Sequence, residues 1–200
     1  MGLLMPLPVP GRSWADITCD MIGELPESNG FNSIVVFVDR FTKMAKFIPS
    51  TTKLSADGYA ELFVAHVYAS HGLPDQMVTD RGSLFTSRCW RTIASLLKID
   101  HRYSTAYHPQ TDSQTEIVNQ WLEQYIRMYT TFEQDDWSTL LQVAEFCYNS
   151  TTHSSTGLSP FMALTGIEPR KSLMEPLSDI EPAGLSAVGE LRIKRIHNLH

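Results

Sequence analysis

The sequence predicts an α/β fold with a five-stranded mixed sheet flanked by helices. Three observations carry that reading: consecutive strand-like runs between residues 16 and 49, a helix–strand–helix–strand alternation from 55 to 104, and two closing helices with apolar stripes at helical spacing. At 200 residues and 42% hydrophobic content, the chain fits one domain with a sizeable core.

Asp16 to Ile22 and Ser33 to Asp39 are rich in apolar and β-branched residues, and Ser28-Asn29-Gly30 supplies turn chemistry between them, so they form adjacent antiparallel strands. Lys43 to Pro49 adds a third strand after Arg40-Phe41-Thr42. Ser55 caps a helix striped with Tyr59, Leu62, Phe63, His66 and Val67, which Gly72 and Pro74 stop. Gln76 to Thr79 is a short buried strand ending at Asp80, and Arg81-Gly82 turns the chain. Trp90, Ile93, Ala94 and Leu97 mark a second helix, followed by a brief strand from His101 to Ser104.

A polar loop, Thr105 to Asp112, leads into a long helix striped with Val118, Leu122, Tyr125, Ile126 and Tyr129, with Glu116 in its first two turns. Asp135 or Asp136 caps the next helix, striped with Trp137, Leu140, Leu141, Ala144 and Tyr148. Residues 1–13 read as an extended lead-in and 14–167 as the core. Residues 168–200 read as a linker and a truncated C-terminal helix carrying the basic patch Arg192-Ile193-Lys194-Arg195.

A net charge of −6 and a pI near 5.6 argue against strong autonomous binding to nucleic acid, because neutralisation of phosphates by Lys and Arg supplies most of that affinity. The apolar start, Met1 to Pro10, has no basic region and three prolines, so it is not read as a signal peptide. No apolar run reaches the length of a membrane span. Cys19, Cys89 and Cys147 lack metal-ligand spacing and are expected as three buried thiols in a reducing compartment.

Three acids stand at the edges of regular elements: Asp20 on the first strand, Asp80 at the end of the fourth, and Glu116 on the long helix, with 35 residues between it and Asp80. Such a set can converge at one end of the sheet. A few carboxylates with retained waters are what a pair of Mg²⁺ ions needs, and two ions about 3.5–4 Å apart clamp the attacking and leaving oxygens of a phosphodiester. Asp16 competes with Asp20 for the first position, since it lies an even number of residues away on the same strand face. Asn119, Gln120 and Glu123 share the helix face of Glu116.

The words around these acids resemble the signature segments of gypsy-type LTR-retrotransposon integrases, members of the retroviral integrase superfamily. They are Val78-Thr79-Asp80-Arg81-Gly82-Ser83-Leu84-Phe85-Thr86-Ser87 and Tyr107-His108-Pro109-Gln110-Thr111-Asp112-Ser113-Gln114-Thr115-Glu116. Leu25-Pro26, the strand Ile34 to Lys43, Tyr148-Asn149 and the run His153 to Phe161 complete an ordered set from about Gly2 to Thr165.

The resemblance implies a ribonuclease-H-like fold of element order βββαβαβαα. It implies a polynucleotidyl transferase core that joins retroelement DNA 3′ ends to target DNA by two-metal transesterification. Asp20, Asp80 and Glu116 are then the catalytic carboxylates, holding two Mg²⁺ ions with Mn²⁺ as a substitute, and Asp20 is preferred to Asp16 because it stands just before Leu25-Pro26. Asp39 and Asp112 match positions that are not ligands in that pattern; Asp39 is read as ending its strand and Asp112 as a cap or turn residue. His108, Gln110, Thr111, Asn119 and Gln120 are expected to contact DNA. The resemblance further implies a homodimer or higher oligomer acting in the nucleus, reached within a cytoplasmic particle. It also implies flanking zinc-binding and DNA- or chromatin-binding domains before Met1 and after His200.

Leu84 stands where the family pattern has Gln, Ser113 where it has Gly, and Ile117 where it has Arg; Gln120 and Glu123 stand where retroviral relatives place lysines. Those departures and the acidic balance favour one alternative, a catalytically inert or domesticated integrase-fold interaction module. The other alternative is a ribonuclease-H-type nuclease, a class that usually adds a fourth acid.

Overall fold

A sheet of order β3-β2-β1-β4-β5 lies at the centre of the structure, a computed structural model that describes residues 11–103 and 109–171. Its strands are β1 Asp16–Ile22, β2 Ser33–Asp39, β3 Ala45–Ser50, β4 Gln76–Thr79 and β5 Asp100–Tyr103. β1, β2 and β3 pair antiparallel, whereas β4 runs parallel to both β1 and β5, giving the expected mixed sheet.

Strand β2 shows why the sequence chooses this arrangement. All seven of its residues are buried, and successive side chains point to opposite faces. Val35 and Phe37 enter one core with Ile17, Cys19 and Met77, while Ile34, Val36 and Val38 enter another. A strand apolar at nearly every position therefore has to be covered on both sides. The β1–β2 connection tightens at Asn29 (φ 51°) and Gly30 (φ 83°), where both positions need positive φ, and Ser28 and Phe31 exchange backbone hydrogen bonds of 2.8 and 2.9 Å.

On the first face lie α1 (Ala56–Phe63), a π-helical turn (Val64–Tyr68), α2 (Ala69–His71), α3 (Ser83–Thr86) and α4 (Arg88–Leu96). Tyr59, Phe63, Val67, Trp90 and Ala94 pack there. Ser55 caps α1 by accepting from Gly58 N at 3.1 Å. On the second face lie α5 (Pro109–Tyr129) and α6 (Trp137–Asn149), which bury Val118, Leu122, Ile126, Leu141 and Ala144. A short α7 (Pro160–Thr165) follows.

Helix α6 also seals the outer edge of β3. The Glu145 carboxylate accepts from Phe47 N (3.0 Å) and Lys46 Nζ (2.9 Å), and Asn149 accepts from Ala45 N while donating to Ala45 O, both at 2.9 Å.

Several features differ from the sequence expectation. β3 starts at Ala45 because Lys43, at φ 67°, closes a turn around the fully buried Asp39 carboxylate, which accepts from Phe41 N, Thr42 N and Thr42 Oγ1. Helix α5 starts at Pro109, three residues before the expected end of the polar loop, because a proline at the first helical position has no N–H to leave unpaired. Asp112 is consequently helical, not a cap or turn residue, and Glu116 sits beyond the first two turns.

His66 is exposed: the π-helical turn keeps the four-residue spacing Tyr59, Phe63, Val67 in line and swings His66 outward. Tyr129 is exposed at the end of α5, and Cys147 is half-buried on the flank of α6, while Cys19 is buried as expected. Helices α3 and α7 are too short to leave a periodic signal. The basic patch Arg192 to Arg195 and residues 1–10 lie outside the described residues.

Candidate active site

The register of the parallel pair β1–β4 brings two of the predicted acids together. Cys19 pairs with Thr79, and one residue further along each strand stand Asp20 and Asp80. Their carboxylates therefore leave the same face from neighbouring strands, whose spacing is about 4.8 Å.

Helix α5 crosses above them, fixed by two polar contacts one turn apart. Thr115 Oγ1 donates to Thr18 Oγ1 at 2.9 Å, both hydroxyls being buried, and Asn119 Nδ2 donates to Asp20 Oδ2 at 2.6 Å. Glu116, between those anchors in sequence, is exposed and accepts from Gln120 Nε2 at 3.3 Å. The result is an open cleft of about 520 Å³ whose lining includes Thr18, Asp20, Thr79, Asp80, Thr115, Glu116, Asn119, Gln120 and Glu123.

Local contacts set the carboxylates. Met21 N donates to Asp20 Oδ1 at 2.8 Å, and Gly82 N donates to Asp80 Oδ1 at 3.0 Å. A Cβ at position 82 would lie 3.0 Å from Asp80 Oδ1 and 3.3 Å from Oδ2, so any side chain there would push the carboxylate by a few tenths of an ångström. Behind Asp80, the buried Thr79 hydroxyl donates to Asp80 O (2.9 Å) and pairs with His101 Nε2 (2.9 Å). With its single proton directed to that carbonyl, the hydroxyl accepts from His101 Nε2–H. Burial holds the His101 imidazole below its ordinary pKa. The Cys19 thiol is pushed well up, first by burial and then by the Asp20 and Asp80 charges nearby.

Asp20, Asp80, Glu116 and Glu123 all line the cleft, and among the described residues no Lys or Arg does. An all-oxygen donor set of that charge suits a hard divalent cation. Asn119 Oδ1, buried without a hydrogen-bond partner, adds one more oxygen beside Asp20. Among the described residues, no three His, Cys, Asp or Glu side chains stand close enough together to hold one ion. The acids share a cleft without forming a closed coordination shell.

Asp16 is excluded from this cleft. It lies four residues before Asp20, about 13 Å along the strand, and pairs with Arg40 at 3.2 Å, while burial raises its carboxyl pKa. The structure thus gathers Asp20, Asp80, Glu116, Asn119 and Gln120. His108 lies outside the described residues, and Gln110 and Thr111 are placed only as backbone positions in the first turn of α5. Sequence reasoning missed Thr18, Thr115 and the Thr79–His101 pair. Thr18 carried a signal, since it stands two residues before Asp20 on the same strand face.

No family model matches the chain. The Transposon Tf2-3 and Tf2-4 polyproteins of Schizosaccharomyces pombe (strain 972 / ATCC 24843) are 35% identical over 174 residues, which is 87% of this chain and 13% of each polyprotein. The chain therefore spans about an eighth of the length of the relatives it matches. Among solved structures, it resembles the simian T-cell lymphotropic virus intasome in complex with PP2A regulatory subunit B56 gamma. That likeness has a TM-score of 0.66 and 17% identity, over 87% of this chain and 63% of the other. It also resembles the HTLV-2 integrase catalytic core domain in complex with magnesium, in trimeric form, with a TM-score of 0.55 and 15% identity over 75% of this chain and 95% of the other. These likenesses establish the ribonuclease-H-like fold, and the transposon polyproteins supply homology at the level of sequence. The chain is thus homologous to a stretch of the Tf2 transposon polyproteins and shares the fold of retroviral integrase catalytic cores, which is consistent with an integrase catalytic core.

Proposed function

We propose that this cleft is a polynucleotidyl transferase site that joins retroelement DNA 3′ ends to target DNA. The observation that carries the reading is the meeting of Asp20, Asp80 and Glu116, from three distant stretches of sequence, in one cleft that the described residues line with acids and with no basic side chain. Mutually repelling carboxylates gathered at strand ends call for a cation, and they repel a phosphodiester until one is bound.

Asp20, Asp80 and Glu116 would hold Mg²⁺ or Mn²⁺. When bound, the two ions supply charge stabilisation to the attacking and leaving oxygens. The chain's own residues do the positioning: Asn119 and Met21 N aim Asp20, Gly82 N aims Asp80, and Gln120 restrains Glu116. Asp20 is half-buried and held on both oxygens, whereas Asp80 and Glu116 are exposed, so those two side chains would make the adjustment to a bound ion. The partners are retroelement DNA ends and target DNA, and the working state is a homo-oligomer acting in the nucleus. The intasome and trimeric assemblies of the structurally similar integrases support the oligomeric and DNA-bound part of that reading.

Glu123 favours a second reading, because it places a fourth acid in the cleft wall, as a ribonuclease-H-type nuclease would have. One assay separates the two: the chain, supplied with Mg²⁺ or Mn²⁺, is offered a branched integration-intermediate DNA and an RNA–DNA hybrid. Strand joining or resolution of the branched DNA, lost in Asp80→Asn, supports the transferase; cleavage of the hybrid alone overturns it. Metal binding undisturbed by Asp80→Asn would support the inert interaction module.

A further inference from the structure

Charge is distributed unevenly along this chain of net charge −6. Residues 81–102 carry Arg81, Arg88, Arg91, Lys98 and Arg102 against a single acid, Asp100, and Asp100 is already paired with Arg102 at 2.6 Å. Arg81, Arg88 and Arg91 are exposed and make no ion pair among the described residues.

The topology puts these three arginines at the cleft's end of the sheet. β4 and β5 are parallel, so α3 and α4 must return the chain from the carboxyl end of β4 to the amino end of β5. Arg81 directly follows Asp80, Arg88 opens α4, and Arg91 lies three residues on along the same helix face. Lys98 lies past the opposite end of α4. Because α4 packs on one face of the sheet and α5 on the other, Arg88 and Arg91 stand on the opposite face from the helix that carries Glu116, with Arg81 beside Asp80 at the boundary between them. The positive charges of Arg81, Arg88 and Arg91 are not cancelled by ion pairs among the described residues.

We propose that Arg81, Arg88 and Arg91 form a contact surface for the phosphate backbone of double-stranded DNA, laying the duplex across the carboxyl end of the sheet beside the acidic cleft. The proposal rests on the DNA-directed function above and names the surface that takes the backbone. Guanidinium groups without a carboxylate partner have no ion pair to break before meeting phosphate, which they match with two parallel hydrogen bonds. Each phosphate neutralised releases condensed counterions, so a local cluster binds DNA even on a chain of negative net charge.

The test is fluorescence anisotropy of a labelled random-sequence duplex titrated with the chain, without divalent metal, over a series of NaCl concentrations. The wild-type log K falls linearly with log salt. R81Q/R88Q/R91Q loses roughly 2–3 units of that slope and R88Q alone about 0.9, following the slope per phosphate contact. K98Q keeps the wild-type slope, and circular dichroism confirms that each variant is folded. An unchanged slope in the triple variant, an equal loss in K98Q, or no salt-dependent binding by the wild-type chain overturns the proposal. Failure of strand joining with the arginine-dependent slope intact counts against the transferase reading alone. Normal joining with an arginine-independent slope counts against this surface alone.

Discussion

Asn119 donates to Asp20 at 2.6 Å, fastening helix α5 to the central strand at the floor of the cleft. The other oxygen of Asp20 is held by the neighbouring Met21 N, so Asn119 is the contact that ties this carboxylate to α5. Asn119→Ala should lower metal-dependent strand joining 10- to 100-fold, the usual range for a partner that orients a ligand, at a cost of roughly 1 kcal/mol in stability. Steady-state rates alongside urea unfolding check this; unaltered rates would show that Asp20 is aimed without Asn119.

Gly82 makes a sharper demand. A methyl group there would press on both Asp80 oxygens, at 3.0 and 3.3 Å, so Gly82→Ala should weaken Mn²⁺ binding about tenfold while leaving the fold intact. Asp80→Asn should weaken it further. Calorimetric titration with Mn²⁺ measures both, and wild-type affinity in Gly82→Ala would show that the carboxylate moves aside freely.

The hydroxyl pair Thr18–Thr115 is buried between strand and helix. Replacing one member by Val should cost about 1–3 kcal/mol, because the other is left without a partner, and the double replacement should cost less than the sum. A double-mutant cycle read by urea unfolding gives the coupling; strict additivity would mean that the hydroxyls do not interact.

Burial lowers the pKa of His71, His101 and His153 from 6.5. Above 6.5 both folded and unfolded chains carry these imidazoles neutral. As pH falls through that value the unfolded state takes up protons first, so stability declines until the lowered folded values are passed. Unfolding free energies measured between pH 7.5 and 5 should decrease, and His101→Gln should flatten the decline. A constant profile would rule out the burial effect.

At the sheet edge, Asn149→Ala strips Ala45 of both hydrogen bonds and leaves its N–H and C=O unpaired behind α6. The expected cost is about 1–3 kcal/mol, with increased self-association as β3 is uncovered. Thermal melting and light scattering test this, and a variant as stable and monodisperse as the wild type would show the edge to be protected otherwise.

Local order was legible in the sequence wherever a periodicity repeats. The two-faced burial of β2 and the Val118, Leu122, Ile126 stripe of α5 follow from spacing alone. The candidate acids were legible as edge residues within signature words, but their meeting was not, because it depends on which strand lies beside β1. That choice joins Cys19 to Thr79 across sixty residues and is made by burial of the whole sheet. The start of α5 at Pro109 was hidden by polar residues that look like loop, and the role of Gly82 was hidden because its φ of −56° is ordinary; only the neighbouring carboxylate makes a side chain costly there.

The acids arrive on β1, β4 and α5, and α5 is held in place partly by the threonine bond to β1. A ribosome making this chain delivers Asp20 and Asp80 long before Glu116, and the pairing of β1 with β4 sets those two side by side, but the third acid joins them only when the later helix docks. A nascent or truncated product halted ahead of residue 109 therefore has an incomplete acidic cleft, so the transferase chemistry proposed for it would stay latent until synthesis and docking of the second helical layer are complete.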